Sequence, residues 1–521
     1  MREMKIKLTD EFKKALHLME NTSKNILITG KAGTGKSTLL DYFRNNTKKN
    51  VVVLAPTGVA AVNVNGQTIH SFFRFGPDIT VDKVEKIVEE FPNIYTEVDA
   101  IIIDEISMVR ADLLDAIDKF LRINTSKRRP KKKPFGGKQM IFFGDLYQLP
   151  PVTTKREKSV IDQLYDSPYF FSANVMKRVN LEIVELTEVF RQKDAKFIEL
   201  LDAIRHGENS PEILEKLNER YIPDFKPPEG EFYIYLTSTN KRAKEINEKK
   251  LKELSSDLCE IPGKISGEFD MNSLPTDINL KLKKGAQVML LNNDSERKWV
   301  NGTIGEVSDI KLEKKIVKVK LETKVKLKTK EVDVKPFEWK LYEYVLDGDR
   351  IDTVEVGSFS QFPIKLAWAI TIHKSQGKTF DKVIIDLSGG IFSPGQLYVA
   401  LSRCTSFEGI VLLQPVKKGH VFMNWKAAKF LTNWDWNRAS KKLSVEDRIK
   451  IIEKAIEEEK ELRILYLKAS GKKEWRKIKP IYVGEMSYGG RKFTGIRAFC
   501  YKRGEERTFR VDRILEIEQE K

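Results

Sequence analysis

Unbroken apolar runs recur along the first third of the chain, at residues 51–55, 100–103 and 139–143, and helical stretches alternate with them. Strands that are apolar on both faces are typical of a parallel sheet covered by helices. Residues 1–180 are therefore predicted to form an α/β domain built on a parallel sheet. A second such domain is predicted from residue 181, and it resumes with the apolar runs 383–387 and 410–413.

A different pattern interrupts the second domain. From Val317 to Leu327 every odd position is apolar or threonine, and lysine or glutamate lies between them. A period of two predicts antiparallel strands with one face in water. We therefore predict a small SH-three-like β-barrel inserted at residues 295–360, which leaves 181–294 and 361–435 for the second α/β domain.

The C-terminal part of the chain has a third pattern. Residues 443–461 are highly charged and favour a helix, and the linker helix is predicted at 436–461. Strand-like runs and a Gly-Gly pair at 489–490 follow. A compact and mostly-β module is predicted at 462–521.

The composition excludes several classes of protein. Lys and Arg number 92 against 75 Asp and Glu, and the net charge of +17 favours a polyanionic partner. No apolar run approaches the ~18 residues of a membrane span, and the N-terminus lacks the apolar core of a signal peptide. The three cysteines and five histidines are scattered, which argues against disulfides and a zinc site and favours the reducing cytoplasm.

Residues 30–37 match the pattern G-x-x-x-x-G-K-[ST] at each fixed position, between a predicted strand and a predicted helix. Glycines let the backbone wrap a phosphate, Lys36 places a charge on the β- and γ-phosphate oxygens, and Ser37 offers a hydroxyl to Mg²⁺. The alternative is a glycine-rich turn that arose by chance. The chain is predicted to bind a nucleoside triphosphate through Gly33, Thr34, Gly35, Lys36, Ser37 and Thr38.

Polar side chains follow the next two apolar runs. Asp104 and Glu105 come after 100–103, where Asp104 would help to hold Mg²⁺ and Glu105 would orient and deprotonate the attacking water. Gln148 follows 139–143 and would sense the γ-phosphate. The alternatives are an ordinary loop start and a proline-terminated turn.

Two arginines in the second α/β half, Arg191 and Arg403, are candidates for the transfer step. An arginine that reaches in from another domain stabilises a phosphoryl transition state by a factor of ~10³–10⁵. An arginine is more often a solvated surface residue, and the motif surroundings favour the catalytic interpretation here. The predicted catalytic residues are Lys36, Glu105, Gln148, Arg191 and Arg403.

These segments together resemble the petite integration frequency (Pif) family of superfamily-one DNA helicases, in its bacterial type. The resemblance covers about residues 1–435. Further segments that carry it are 55–61, 66–72, 135–137, 285–289, 301–305 and 367–377. RecD-type exonuclease subunits and conjugative relaxase helicases share several of these motifs and are the nearest alternatives.

The resemblance implies two RecA-like domains with ATP at their cleft and single-stranded DNA crossing both. It implies 5′-to-3′ translocation, with a duplex-splitting wedge at about 62–78. It assigns DNA contacts to Thr57, Gly58, His70, Ser71, Phe72, His373, Lys374 and Ser375, and it adds Gly377 to the nucleotide site. Hydroxyls and cations suit the strand's backbone and aromatic rings suit its bases, but a partly buried aromatic cluster remains the alternative for the phenylalanines.

The chain departs from the family near its N-terminus. The family usually carries a glutamine there that reads the adenine edge, and this chain has Phe12. A phenyl ring can stack on a base but cannot donate and accept at its edge, so selectivity for ATP is left open. The basic tract 127–133 is interpreted as a solvated loop, with a nuclear localisation signal as the alternative.

The tail resembles a WYL module, a small β fold found on bacterial regulators and some helicases. The namesake tripeptide is absent near 494–496. The tail's arginines and its Tyr466, Tyr482 and Tyr501 would bind single-stranded nucleic acid, or else form salt bridges and core, and both interpretations remain open.

The sequence therefore predicts a helicase that uses ATP and Mg²⁺ on single-stranded, forked or structured DNA, including G-quadruplexes and R-loops, for genome maintenance. A monomer is expected, or a dimer on DNA. The alternative is a DNA-binding ATPase switch with little unwinding activity. Two candidate arginine fingers argue against a slow switch.

Overall fold

The first of two compact units spans Met1–Val421 and begins with a parallel sheet flanked by helices. The computed structural model of the chain describes residues 8–76, 79–86, 93–126, 131–153, 155–269, 271, 274–296, 298–321, 330–348 and 350–519. The elements of the first part are α1 (Asp10–Asn21), β1 (Asn25–Gly30), α2 (Lys36–Asn46), β2 (Val51–Ala55), α3 (Gly58–Asn63), β3 (Gln67–Thr68), α4 (Ile69–Phe72), α5 (Ile94–Glu97), β4 (Ala100–Ile103), α6 (Ala111–Asn124), β5 (Gln139–Phe143), α7 (Lys155–Leu164) and β6 (Leu181–Leu186).

The strand order of this sheet is β3-β2-β4-β5-β1-β6, and its pairings are parallel. Strands β4 and β5 are buried throughout, and β1 is buried after its first residue. This burial confirms the parallel α/β architecture that the apolar runs predicted. Because parallel strands end at the same edge, the segments that follow β1, β4 and β5 converge there.

Strand β6 corrects the predicted domain boundary at residue 180. It pairs in register with β1, from Asn25↔Leu181 to Gly30↔Leu186, and so belongs to the first sheet. The predicted wedge at about 62–78 likewise contains β3, which pairs with β2 at the sheet's edge. Residues 77–78 of that wedge lie outside the described residues. The pairing of β6 with β1 joins residues far apart in sequence, which is why local patterns misplaced the boundary at residue 180.

The second part of this unit contains another parallel sheet, with strand order β18-β7-β19-β20. Its elements are α8 (Ala195–Arg205), α9 (Pro211–Asn218), β7 (Ile234–Thr237), α10 (Asn240–Glu253), then, after a long antiparallel insertion, β18 (Ala369–Thr371), β19 (Val383–Asp386), α11 (Gln396–Leu401) and β20 (Ile410–Leu412). Two parallel sheets within one unit agree with the predicted pair of RecA-like domains.

The insertion is longer than the predicted 295–360. Its strands are β8 (Cys259–Pro262), β9 (Lys264–Gly267), β10 (Asn279–Leu282), β11 (Gln287–Leu290), β12 (Ile304–Lys311), β13 (Ile316–Leu321), β14 (Lys330–Val334), β15 (Phe337–Asp347), β16 (Arg350–Gln361) and β17 (Ile364–Leu366). The strand orders are β14-β13-β12-β11-β17, β15-β16-β9 and β10-β8.

One core joins the shortest of these sheets to the longest. Leu280 and Ile261 pack with Val288, Val307 and Val319 in a single buried cluster. The insertion therefore runs from β8 to β17, and residues 259–294 and 361–366 leave the predicted second α/β domain. Strands of four residues with a proline at the end carry too little pattern to be recognised. Of the alternating stretch from Val317 to Leu327, residues 322–327 lie outside the described residues.

The second unit spans Phe422–Lys521 and is mostly β. It contains α12 (Trp425–Lys442), α13 (Val445–Glu457), β21 (Leu462–Leu467), β22 (Lys473–Tyr488), β23 (Arg491–Cys500), β24 (Glu505–Arg510) and β25 (Ile514–Gln519). The antiparallel strand order is β24-β23-β22-β21-β25. This architecture agrees with the predicted module.

The predicted linker helix at 436–461 is wrong, because two helices cover that stretch. Ser444 separates them: its backbone is extended and its Oγ accepts from Asp447 N at 3.0 Å. Helix α12 already belongs to the second unit, so the unit begins earlier than residue 436. Across the described residues of both units, no helix combines the length and the apolar character needed to cross a membrane.

Candidate nucleotide site and nucleic-acid interface

The loop between β1 and α2 has a backbone that can wrap a phosphate. Gly33 and Gly35 have φ of +82° and +83°, a region that glycine enters without strain. A Cβ on Gly33 would lie 2.5 Å from Arg191 Cβ, so this glycine also permits the close approach of the arginine. Helix α2 begins at Lys36, and the first-turn N–H groups of a helix lack intrahelical partners and can bind an anion.

Lys36 is held by the carbonyls of its own loop. Its Nζ donates to Gly30 O at 2.7 Å and to Lys31 O at 3.0 Å. Burial lowers the pKa of Lys36, and the carboxylates of Asp145 and Glu105 partly oppose that effect. The phosphate oxygens of a nucleotide would supply the missing negative charge.

Two adjacent carboxyl groups lie at the carboxyl end of β4. Burial and the neighbouring Glu105 raise the pKa of Asp104 to about 7. Burial also raises the pKa of Glu105, although Lys36 and Arg403 oppose the shift. Glu105 has φ +49°, an uncommon conformation for a residue with a side chain, and such conformations cluster at functional sites.

The donor set suits Mg²⁺ bound together with a phosphate. Ser37 and Thr38 are exposed on the first turn of α2, and Asp104 and Glu105 are only partly buried. Hydroxyl and carboxylate oxygens are the ligands that Mg²⁺ prefers, usually beside phosphate oxygens. Within the described part of the chain, no three His, Cys, Asp or Glu side chains cluster in a way that would hold a metal by themselves.

A buried carboxylate that the sequence did not single out lies at the centre of the site. Asp145 Oδ1 accepts from Arg205 Nη2 at 2.9 Å, and its Oδ2 accepts from Tyr398 OH at 3.3 Å. Burial favours the neutral carboxyl, but Arg205 and Lys36 outweigh burial and lower the pKa of Asp145. Tyr398 OH also accepts from Ala32 N of the phosphate loop at 2.9 Å.

Gln148 lies between the two parallel-sheet parts. It is buried, its Nε2 lies 3.4 Å from Asp145 Oδ2, and its Oε1 lies 3.5 Å from Gln376 Nε2. A Cβ on Gly395, just before α11, would lie 2.8 Å from Gln148 O. A shift of Gln148 towards a phosphate would therefore change its contacts with Gln376 and with Gly395, the residue before α11.

The two candidate arginines reach the same place from segments far apart in sequence. Arg191 Nη1 donates to Ser402 O at 3.1 Å. Arg403 is 1% exposed, and its Nε donates to Val399 O at 2.9 Å. Burial and the neighbouring Arg191 guanidinium lower the pKa of Arg403 to about 9. Two guanidinium groups so close together favour an anion between them.

A cavity of about 590 Å³ collects most of the predicted nucleotide residues. Its lining comprises Phe12, Ala32, Gly33, Thr34, Gly35, Lys36, Ser37, Thr38, Glu105, Gln148, Phe190, Arg191, Gly377, Thr379 and Arg403. Asp104, the residue before Glu105, is absent from this lining. The size is within the ~300–1,000 Å³ of typical ligand pockets.

The predicted DNA residues around β3 have different environments. Thr57 is exposed, and its side chain accepts from Ala60 N at the start of α3, where Gly58 is partly buried. His70 is partly buried, and burial lowers its pKa. Ser71 Oγ accepts from Gln67 Nε2 at 2.8 Å. These side chains lie beside β2 and β3, at one edge of the first sheet.

Phe72 is a correction to the predicted DNA contacts. Its ring is 5% exposed and meets Phe73, Tyr95 and Tyr344 edge-on, at centroid distances of 4.9, 5.4 and 5.9 Å. A ring enclosed by other rings cannot stack on a nucleotide base. The alternative, a buried aromatic cluster, is the one that the structure supports.

The segment after β18 presents one exposed cation. Lys374 is exposed and His373 is partly buried, whereas Ser375 is fully buried. Ser375 Oγ donates to Ile372 O at 2.7 Å, which contradicts a DNA contact by that hydroxyl.

Two further lysines lie near Lys374 and were not predicted from the sequence. Burial and the neighbouring Lys378 and Lys374 lower the pKa of Lys365 to about 7. Burial lowers the pKa of Lys378 to about 8, and its Nζ donates to Asn301 Oδ1 at 2.9 Å. Lysine clusters of this kind suit a phosphate backbone. Of the basic tract 127–133, residues 127–130 lie outside the described residues, and Lys131, Lys132 and Lys133 are exposed.

The second unit has its own cationic cavity, of about 320 Å³. Tyr466, Lys468, Arg476, Cys500, Arg503, Arg507, Thr508 and Phe509 line it. Tyr466 packs edge-on against Phe509 at 5.1 Å, whereas Tyr482 and Tyr501 are 49% and 44% exposed. The tail's aromatics therefore divide between core and surface, and neither sequence interpretation covers all of them.

Comparison with known proteins agrees with this geometry. The sequence profile of the PIF1-like helicases matches residues 7–213, and that of the WYL domain matches residues 447–519. The second match begins within α13, at residue 447, and so before the predicted residue 462. ATP-dependent DNA helicase Pif1 of Bdellovibrio bacteriovorus is 34% identical over 419 residues, which cover 78% of this chain and 88% of that protein.

Solved structures give the same result. The crystal structure of Bacteroides sp Pif1 in complex with ADP-AlF4 superposes with a TM-score of 0.74 at 38% identity, over 84% of this chain and 98% of that one. Bacteroides Pif1 bound to ssDNA superposes with a TM-score of 0.58 at 39% identity, over 82% of this chain and 96% of that one.

Proposed function

Because the chain belongs to the PIF1-like helicase family, we propose that it hydrolyses ATP to translocate 5′ to 3′ along single-stranded DNA and to separate duplex DNA ahead of it. The observation that supports this proposal best is the meeting of Lys36, Arg191 and Arg403 at one cavity. The three residues come from both parallel-sheet parts of the first unit. A nucleotide that they share would draw those parts together, and its hydrolysis would release them.

The chain's own residues suit each step of phosphoryl transfer. The phosphate loop and the first turn of α2 hold the phosphates, and Lys36 exchanges its loop carbonyls for phosphate oxygens. Glu105 orients the attacking water and takes its proton, a role for which a raised pKa is suitable. Arg191 and Arg403 neutralise the charge that develops on the transferred group. Mg²⁺, held through Ser37 with the help of Asp104, would supply further neutralisation when bound.

The hydrogen-bond network supplies a route from hydrolysis to movement. Gln148 would sense the γ-phosphate, and its contact with Gln376 leads to the segment that carries Lys374. At the other end, Thr57 and His70 lie beside the first sheet, near strands whose loops hold the nucleotide. DNA bound by Thr57 and His70 on one side and by Lys374 on the other would be held first by one set of residues and then by the other as the cavity opens and closes.

A strand-displacement assay tests the proposal. Duplexes with a 5′ or a 3′ single-stranded overhang are incubated with the full chain, ATP and Mg²⁺. We expect separation of the 5′-overhang substrate and little separation of the other. Equal activity on both, or preference for the 3′ overhang, would contradict the proposed polarity.

Matched variants separate a motor from a nucleotide-dependent switch. Lys36→Ala and Glu105→Gln are expected to abolish hydrolysis and unwinding while DNA binding persists, and Lys244→Ala, whose side chain is 75% exposed on α10, is the control. Strong stimulation of the wild-type ATPase by single-stranded DNA favours the motor. A slow ATPase rate that single-stranded DNA does not stimulate favours the alternative of a DNA-binding switch with little unwinding.

Substrate range and assembly are further parts of the proposal. We infer activity on forks, G-quadruplexes and R-loops in genome maintenance, by a cytoplasmic monomer that can act as a dimer on DNA. All three cysteines are free, which suits a reducing compartment. Unwinding rates on matched fork, quadruplex and R-loop substrates, and the mass of the protein–DNA complex in solution, test these points.

A further inference from the structure

We propose that this chain accepts nucleoside triphosphates with little regard for the base, because the base enters an apolar end of the cavity formed by the buried Phe12 and the exposed Phe190. The inference rests on the proposed function and deepens it by defining the substrate class of the nucleotide site. It concerns the end of the cavity where Phe12 and Phe190 meet Gly35.

Phe12 is a fixed wall of the cavity. Its N donates to Thr9 Oγ1 at 3.3 Å at the start of α1, and its ring is 3% exposed. The ring packs in a cluster with Leu39, Leu40 and Phe43. A side chain buried on one side by the core and lining the cavity on the other cannot make way for a polar group.

Phe190 offers the second ring. Its N donates to Gly33 O at 2.8 Å, which ties the segment directly to the phosphate loop. Its side chain nevertheless remains 45% exposed. A Cβ on Gly35 would lie 3.2 Å from Phe12 Cζ and 3.7 Å from Phe190 Cε2, so both rings flank the same residue of the loop.

The position of the rings matches where a nucleoside leaves the phosphate loop. Lys36 reaches the β- and γ-phosphates, and backbone N–H groups of the loop and first turn cradle the α- and β-phosphates. The ribose and base therefore continue away from Glu105, past Gly35 and onto the rings. The exposed Phe190 ring can stack on any base, since every base has a π-face, and Phe12 forms an apolar wall of the same cavity.

The polar groups that line the cavity either form other hydrogen bonds, lie at its phosphate end, or are hydroxyls that can both donate and accept. Gln148 and Arg403 already bond within the protein, and Lys36 and Glu105 belong to the phosphate end. Thr38 and Thr379 contribute hydroxyls, which donate or accept as the base requires. Among the cavity-lining residues that the structure describes, none offers a fixed amide beside the two rings.

The expected selectivity follows from the type of contact. An apolar pocket distinguishes similar ligands by about 10–200-fold at most, whereas a site built to hydrogen-bond a group rejects analogues by about 10⁴–10⁵-fold. A base held by stacking alone should therefore be poorly discriminated. The larger purines should have a modest advantage over the pyrimidines.

The wild-type chain supplies the main test. Steady-state kcat/KM is measured for ATP, GTP, CTP and UTP with saturating single-stranded DNA. A preference for ATP over CTP of about 200-fold or less is what apolar contact alone allows and supports the proposal, and a larger preference overturns it. Absence of hydrolysis with every triphosphate would instead remove the proposed function, so the two failures are distinguishable.

Variants then assign the effect to the rings. Phe12→Gln should raise the ATP-to-CTP ratio of kcat/KM at least tenfold through KM, and an unchanged ratio overturns the assignment to Phe12. Phe190→Ala should raise KM for all four triphosphates by a similar factor, and this variant leaves the core intact if Phe12→Gln fails to fold. Phe392→Ala removes another exposed ring, 60% exposed and outside the cavity lining, and should change neither parameter.

Discussion

Arg205 Nη2 lies 2.9 Å from Asp145 Oδ1, and the two side chains are 2% and 0% exposed. The pair joins the end of α8 to the loop that follows β5. Tyr398 donates to the same carboxylate and accepts from the phosphate loop. One buried carboxylate therefore links both parallel-sheet parts of the first unit, next to the cavity where hydrolysis would occur.

Replacing Arg205 by methionine should destabilise the chain strongly. The substitution leaves the Asp145 carboxylate buried without its main partner, and breaking a buried ion pair in this way costs about 3–5 kcal/mol of unfolding free energy. Urea unfolding measures the loss. Lys492→Ala breaks an exposed pair with Glu485 and should cost about 0–1 kcal/mol. Equal losses in the two variants would contradict the assigned role of the buried pair.

Gly33→Ala should abolish ATP hydrolysis. The new Cβ would be 2.5 Å from Arg191 Cβ at a φ of +82°, so both the loop and the arginine must shift. Gly419→Ala is the control, because a Cβ there meets nothing within 4 Å. Steady-state ATPase and thermal melting of both variants check the prediction. Turnover by Gly33→Ala close to the wild type would show that Arg191 is not needed in that position.

Phe72→Ala should lower stability and leave DNA contacts otherwise intact. Deleting a buried ring costs about 3–5 kcal/mol, and here the ring lies among Phe73, Tyr95 and Tyr344. Phe72→Leu keeps most of the apolar volume and should bind single-stranded DNA like the wild type. Lys374→Ala should show the opposite result, with weaker DNA binding and unchanged melting. Weaker DNA binding by Phe72→Leu would restore the stacking interpretation.

The sequence predicted those parts of the site that local patterns encode. The spacing around Lys36 and the carboxylates at 104–105 follow buried strands, and parallel strands bring such segments to one edge. The Asp145–Arg205 pair escaped prediction because Arg205 belongs to no recognisable motif. Phe72 was misassigned because a base and a protein core both attract an aromatic ring. Strand β6 was misplaced because only its pairing with β1 reveals which sheet contains it.

The binding of single-stranded DNA should weaken as pH rises through 7 to 8. The pKa values of Lys365 and Lys378 are lowered by burial to about 7 and about 8, so both lysines lose charge across this range. Fluorescence anisotropy at fixed ionic strength, from pH 6 to pH 9, measures the effect. Lys378→Arg keeps its charge throughout and should flatten the profile. An identical profile in that variant would exclude Lys378 as the cause.

The same lysines should make the free energy of unfolding rise with pH, whereas they make DNA binding weaken. Their ordinary pKa is 10.5, so between pH 7 and that value the unfolded chain binds more protons than the folded chain. The unfolding free energy must then rise with pH across this window, as far as these two groups contribute. Urea unfolding at several pH values should therefore show that the unfolding free energy rises less steeply with pH in a Lys365→Met variant than in the wild type. A steeper rise in the variant would contradict the assignment.

Truncation after Val421 should weaken DNA binding more than it changes hydrolysis. Residues 422–521 carry 25 Lys and Arg against 16 Asp and Glu, which is over half of the chain's net charge of +17. The cationic cavity of this unit includes Arg476, whose Nη1 is buried without a hydrogen-bond partner. Removing the second unit should make the slope of log K, where K is the DNA-binding constant, against log salt concentration shallower. The expected change is about 0.7 for each phosphate of a single strand that the unit neutralises. The predicted result is lower affinity, a shallower salt slope and a kcat within a few-fold of the full chain, because the nucleotide cavity lies within the first unit. Identical salt slopes for the truncated and full chains would show that the second unit does not contact the strand.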